Sequence, residues 1–126
     1  MRGTVRRILV IEDDEMVRDA VAMILAADNR EVVTAGNRVE ALRFLDEGSY
    51  DVVVSDLRIP NLDGPILYRE LKQRRPTTAQ RLIFMTGHAD APEYARFLEE
   101  TGVPVLAKPF SAEDLRGAVQ RVLSKP

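Results

Sequence analysis

Ile8-Leu9-Val10-Ile11, followed at once by Glu12-Asp13-Asp14-Glu15, is an unbroken apolar run closed by four acids. Such a run lacks the in–out alternation of a half-solvated strand, so it predicts a strand covered on both faces, as in a parallel sheet. Working outward, Met16, Val17, Ala20, Val21, Met23, Ile24 and Ala27 recur at helical spacing between Glu15 and Asp28. Val32-Val33-Thr34, within Glu31 to Ala35, predicts a second short strand, which Gly36 punctuates. Val39, Ala41, Leu42 and Leu45 predict a helix ending near Gly48. Val52-Val53-Val54 predicts a third strand that runs into Ser55-Asp56. Pro60 and Gly64 then bracket a loop, with Asp63 as its turn residue, before a helix opened by Ile66, Leu67 and Leu71.

The second half repeats the pattern. Leu82-Ile83-Phe84-Met85 predicts a fourth strand, followed by Thr86-Gly87-His88. Tyr94, Ala95, Phe97 and Leu98 mark a fourth helix with Gly102 beyond its end. Val103 to Ala107 predicts a fifth strand, whose Pro104 is tolerated at the first residues of a strand or at a sheet edge. Leu115, Ala118, Val119, Val122 and Leu123 line one face of a closing helix. Ser111 is its expected N-cap, and Glu113 or Asp114 lies in its first turn.

Strands alternating with helices through short loops are a (βα)5 pattern. Right-handed crossovers then require a five-stranded, doubly wound parallel sheet with helices on both faces, an α/β fold. The 126 residues show no break in composition, so a single domain over 1–126 is expected. Apolar residues make up 45% and charged residues 30%, a balance that excludes a disordered tail. No apolar run approaches the roughly 20 residues that span a bilayer, and the N-terminal acids do not suit a signal peptide. Without cysteine there is no disulfide framework and no thiolate metal site. A formal charge of −2 argues against direct nucleic-acid binding, and the expected address is cytoplasmic.

Ligands of such sheets sit outside the carboxyl ends of the strands, where the strand order reverses. Glu12-Asp13 ends the first predicted strand, Asp56 the third, Thr86 the fourth, and Lys108 follows the fifth. Carboxylates about 4 Å apart repel by roughly 4 kcal/mol at an effective dielectric of 20, so their convergence asks for a cation. Oxygen-only donors on a small rim suit Mg²⁺. A carboxylate beside such an ion and an ammonium suits phosphoryl transfer. Asp14 and Glu15 read instead as the cap and first-turn acid of the first helix.

The segments ILVIEDDE (8–15), DVVVSDLRIPNLDG (51–64), FMTGH (84–88) and VLAKPF (105–110) stand in order on those strands. With them the chain resembles, over essentially its whole length, the receiver domain of bacterial two-component response regulators. The resemblance implies a flavodoxin-like receiver fold, a signalling domain rather than an enzyme, and a phosphorelay step. A sensor histidine kinase or histidine phosphotransfer domain would donate a phosphoryl group to Asp56. Asp13 would ligate Mg²⁺ directly and Glu12 through water, with Asp56 and the backbone carbonyl of Arg58 as further ligands. The acid pair should follow Ile11 immediately, which selects Glu12 and Asp13 over Asp13 and Asp14. Thr86 would hydrogen-bond the phosphoryl oxygen and Lys108 would pair with it. Lys108–Pro109 is the expected cis bond. The face formed by the fourth helix, fifth strand and fifth helix would engage an output domain or a second copy. The receiver could stand alone, serve a transcription factor or belong to a hybrid histidine kinase.

One position departs from the family pattern. Val105 stands where the family usually places a switch aromatic, which keeps a phosphorylation-independent docking module as an alternative. Arg58, two residues after Asp56, is expected to touch the phosphoryl group or its attacking water, and His88 flanks Thr86 in the same way. An aspartyl-phosphate phosphatase of the haloacid-dehalogenase type would need a second acid where Arg58 stands. A dinucleotide or P-loop module would need a glycine-rich loop after a strand, and none is present.

Overall fold

A computed structural model describes residues 5–87 and 92–125. In chain order the elements are β1 (Arg7–Ile11), α1 (Glu15–Ala26), β2 (Glu31–Ala35), α2 (Arg38–Glu47) and β3 (Val52–Asp56). Then come β4 (Arg58–Ile59), β5 (Leu62–Asp63), α3 (Gly64–Arg74), α4 (Pro76–Ala79) and β6 (Leu82–Thr86). α5 (Pro92–Thr101), β7 (Val105–Ala107) and α6 (Ala112–Leu123) complete them. The five long strands form one parallel sheet in the order β2-β1-β3-β6-β7. The order reverses after β2, so the switch point lies between β1 and β3.

The unalternating apolar runs are explained by period two on a sheet with two covered faces. Leu9, Ile11, Val53, Leu82 and Phe84 enter one core, with Ala41, Leu45, Leu67, Leu71 and Tyr94 from α2, α3 and α5. Their neighbours Ile8, Val10, Val52, Val54, Ile83 and Met85 enter the other, with Val21 and Leu25 of α1 and Leu115, Val119 and Val122 of α6. Ile8 to Ile11 are completely buried.

Helix starts follow their caps. Asp14 Oδ1 accepts from the N–H groups of Met16 and Val17, and Ser111 and Asp114 form a reciprocal capping box on α6. Gly102, with φ +69°, ends α5 in the left-handed region that glycine adopts freely.

Two predicted details change. The loop between Pro60 and Gly64 contains half of a small antiparallel ladder, Arg58 opposite Asp63 and Ile59 opposite Leu62, with Asn61 at φ 64° in its turn. Two-residue strands carry no periodicity, so only their tertiary setting defines them. The fifth predicted strand shortens to Val105–Ala107 at the sheet edge, with Pro104 just ahead of it.

This ladder delivers α3 tightly against the core. A Cβ on Gly64 would lie 2.3 Å from Leu57 Cδ1 and 3.2 Å from Phe84 Cζ, both fully buried. Gly64→Ala is therefore expected to destabilise the fold by about 1–3 kcal/mol, measured by urea denaturation, because a packed core resists overfilling.

Candidate functional site

The site is assembled by ladder hydrogen bonds that run one residue past the strands. Glu12 N–H donates to Ala35 O at 3.0 Å, Leu57 N–H to Met85 O at 2.8 Å, and Lys108 N–H to Thr86 O at 2.8 Å. Residues that are distant in sequence are thereby held on one rim by backbone geometry. Oxygens of Glu12, Asp13 and Asp56 all lie within 4.8 Å of one another. Lys108 Nζ donates to Asp56 Oδ2 at 2.7 Å and to Glu12 Oε1 at 2.9 Å. Asp56 Oδ1 accepts from Arg58 N–H at 2.9 Å. Asp14 lies outside this cluster, because its carboxylate caps α1.

Exposure is graded across the cluster. Glu12 is 1% exposed, the side chains of Asp56 and Lys108 are mostly covered, and Asp13 faces solvent. Thr86 is buried at the end of β6, opposite Ala107. The Lys108–Pro109 bond is cis. Val105 is half-buried against the core that contains Phe84 and Tyr94. His88 lies outside the described residues.

Three carboxylates against one ammonium leave a net charge of minus two when all are ionised. Burial pushes the Glu12 carboxyl up to about 7, and the nearby Asp56 charge adds to that push, against hydrogen bonds from Lys108 and the Asp14 N–H. Burial pulls Lys108 down, but the hydrogen bonds and charges of Asp56 and Glu12 outweigh it, so the ammonium is held above its ordinary value. The cluster thus relieves its excess charge either by holding a proton on Glu12 or by taking up a cation.

This has a measurable consequence for stability. With divalent ions chelated, folded Glu12 keeps its proton to about pH 7, whereas the unfolded chain releases it near 4.5. The folded state binds more protons between those values, so stability falls as pH rises through that window, on the order of 3 kcal/mol. Thermal melts in chelator should show this decline relative to Glu12→Gln, which lacks the titration.

Arg58 and Tyr94 tie the acceptor loop to α5. The Arg58 guanidinium pairs with Glu93 and lies 5.1 Å from the Tyr94 ring centroid, so its contacts run to α5. Tyr94 is only 7% exposed and its hydroxyl donates to Asp63 Oδ2 at 3.5 Å. Asp63 is more than a turn residue, since its other oxygen caps α3. Neither Glu93 nor Tyr94 carries a motif in sequence, and only the spatial approach of α5 to the β4–β5 ladder reveals them.

Comparison with known proteins agrees with this geometry. The chain is 34% identical over 120 residues to sensor kinase CckA of Brucella abortus (strain 2308), covering 94% of this chain and 12% of that protein. It is 31% identical over 115 residues to the DNA-binding transcriptional regulator NtrC of Escherichia coli (strain K12), covering 91% of this chain and 24% of that protein. The chain thus spans a quarter or less of these curated relatives. Among solved structures, a response regulator receiver domain protein from Clostridium thermocellum superposes with TM-score 0.83 at 34% identity, covering 94% of each chain. The receiver domain of sensor histidine kinase PA1611 from Pseudomonas aeruginosa PAO1, solved with a magnesium ion coordinated in its active-site cleft, superposes with TM-score 0.81 at 25% identity. That match covers 97% of this chain and all of the other. Residues 8–120 match the family model of the response regulator receiver domain, so with the strand order and rim chemistry in agreement, the chain belongs to that family.

Proposed function

We propose that the chain is a phospho-accepting signalling domain in which Asp56 takes a phosphoryl group from a phosphohistidine of a sensor kinase or phosphotransfer partner. The observation that carries this reading is the ammonium of Lys108 bridging Asp56 Oδ2 and Glu12 Oε1 inside a three-carboxylate cluster. Such a bridge stabilises a charged acceptor and stays beside it as further negative charge arrives.

The donor set is entirely oxygen, and its charge calls for a dication, so it fits Mg²⁺. Asp13 and Asp56 would hold the ion directly, Glu12 through water, and the Arg58 carbonyl would complete the protein ligands. When bound, it would neutralise charge on the phosphoryl oxygens. The remaining work falls to this chain's own groups. Arg58 N–H and Lys108 Nζ fix the two oxygens of Asp56, which orients the carboxylate for in-line attack. One Asp56 oxygen forms the new P–O bond as the P–N bond to the donor imidazole breaks. The imidazole nitrogen keeps that electron pair and regains a proton from solvent. Lys108 and the Thr86 hydroxyl then hold the transferred oxygens until water cleaves the acyl phosphate.

A wide groove of about 480 Å³ beside Lys108, lined by Met16, Val17, Ala20, Ile24, Pro109 and Phe110, supports a partner with an apolar surface. Among the described residues no helix is long and apolar enough to cross a membrane. The relatives support a kinase partner, and an output domain or second copy would engage α5, β7 and α6. The test is uptake from a small phosphodonor with Mg²⁺, followed by intact mass spectrometry. One acid-stable, base-labile phosphoryl group is expected. Continuous turnover of a generic phosphate ester would favour a phosphatase instead.

A further inference from the structure

Arg58 touches both the acceptor and the start of a distant helix. Its N–H donates to Asp56 Oδ1, while its guanidinium pairs with Glu93 in the first turn of α5 and lies over the Tyr94 ring. The buried Tyr94 donates to Asp63, and Asp63 stands opposite Arg58 in the β4–β5 ladder. Arg58, Glu93, Tyr94 and Asp63 therefore close a ring of contacts between the acceptor loop and α5.

The members of this ring are not equally fixed. Tyr94 is 7% exposed and Asp63 is held as the α3 cap, whereas the side chains of Arg58 and Glu93 are 44% and 58% exposed. An exposed ion pair is weak and easily exchanged. A phosphoryl group on Asp56 brings about −1.5 to −2 charges and three acceptor oxygens, a better guanidinium partner than one solvated carboxylate. It would arrive at the carboxylate that Arg58 already contacts through its own N–H.

We propose that Arg58 is a positioning residue with two alternative anionic partners, Glu93 before transfer and the phosphoryl group on Asp56 after it. Loading the acceptor thereby releases the first turn of α5. The device rests on Asp56 being the acceptor. It gives the α5 surface a two-state input from side chains alone.

Beryllofluoride with Mg²⁺, a non-covalent mimic of the phosphoryl group, tests this by NMR titration of wild type, Glu93→Gln, Arg58→Met and the double variant. Removing the competing carboxylate should tighten beryllofluoride binding roughly two- to fivefold, the size of an exposed ion pair. In the Arg58→Met background the same Glu93→Gln change should have no effect. In wild type, the Arg58 Nε–H signal should move on loading. In free Glu93→Gln, the α5 amides should shift toward their loaded positions. Equal tightening with and without Arg58 would show a general field effect and overturn the exchange, as would no tightening at all. Failure of wild type to bind beryllofluoride would overturn the acceptor reading and the exchange together. Normal binding that ignores Glu93 removes the exchange alone.

Discussion

Asp56→Asn should take up no phosphoryl group from a small phosphodonor in the presence of Mg²⁺, a fall of at least about 10³-fold against wild type. The carboxamide keeps the size of the side chain, and its oxygen can still accept from Arg58 N–H at the present 2.9 Å position. It has no anionic oxygen to form the acyl phosphate. The Asp56 charge also contributes to the raised Glu12 value, so the substitution should lower the pH at which Glu12 titrates. Mass spectrometry reads the first effect and NMR titration of the Glu12 carboxyl the second. Residual labelling at another residue would sink the acceptor assignment, whereas an unchanged Glu12 titration would show that the two carboxylates are not electrostatically coupled.

Lys108→Met should separate two roles of the ammonium, because its expected effects have opposite signs. The side chain bridges Glu12 and Asp56 and is held protonated by them. Removing it leaves three carboxylates on the rim with no compensating charge. Affinity for a divalent cation should therefore rise, roughly tenfold, since the ion meets one more uncompensated negative charge. Phosphoryl uptake should fall by about 10²-fold or more, because a donor aimed at the transferred oxygens is lost. Calorimetry with Mg²⁺ and phosphorylation kinetics measure the two arms. Uptake and cation affinity falling together would mean that the substitution had simply disordered the rim. Adding chelator to wild type should reproduce the loss of uptake without that loss of order.

Much of this molecule was legible before any coordinates. The four-residue run at Ile8 had to be a doubly covered strand, and the two cores confirm why: Leu9 and Ile11 enter one, Ile8 and Val10 the other. The placement of Glu12, Asp13 and Asp56 on one rim also followed from strand ends, since a doubly wound sheet brings those ends to one edge. The β4–β5 ladder was not legible, because two-residue strands have no period to read. The direction of the Arg58 side chain was not legible either. A long, flexible arginine finds its partner among whatever anions the fold brings within reach, and Glu93 arrives from a helix 35 residues away.

Alternation of apolar runs and helical periods, with acids at the strand ends, thus determined the sheet and the rim by itself, because those features depend on local periodicity and on handedness rules common to all such folds. Tertiary structure alone decided which charge meets which. It buried Glu12 and so raised its pKa, divided Lys108 between two carboxylates, and turned Arg58 toward α5. Pairings of that kind depend on distance and desolvation, neither of which is written in the order of residues.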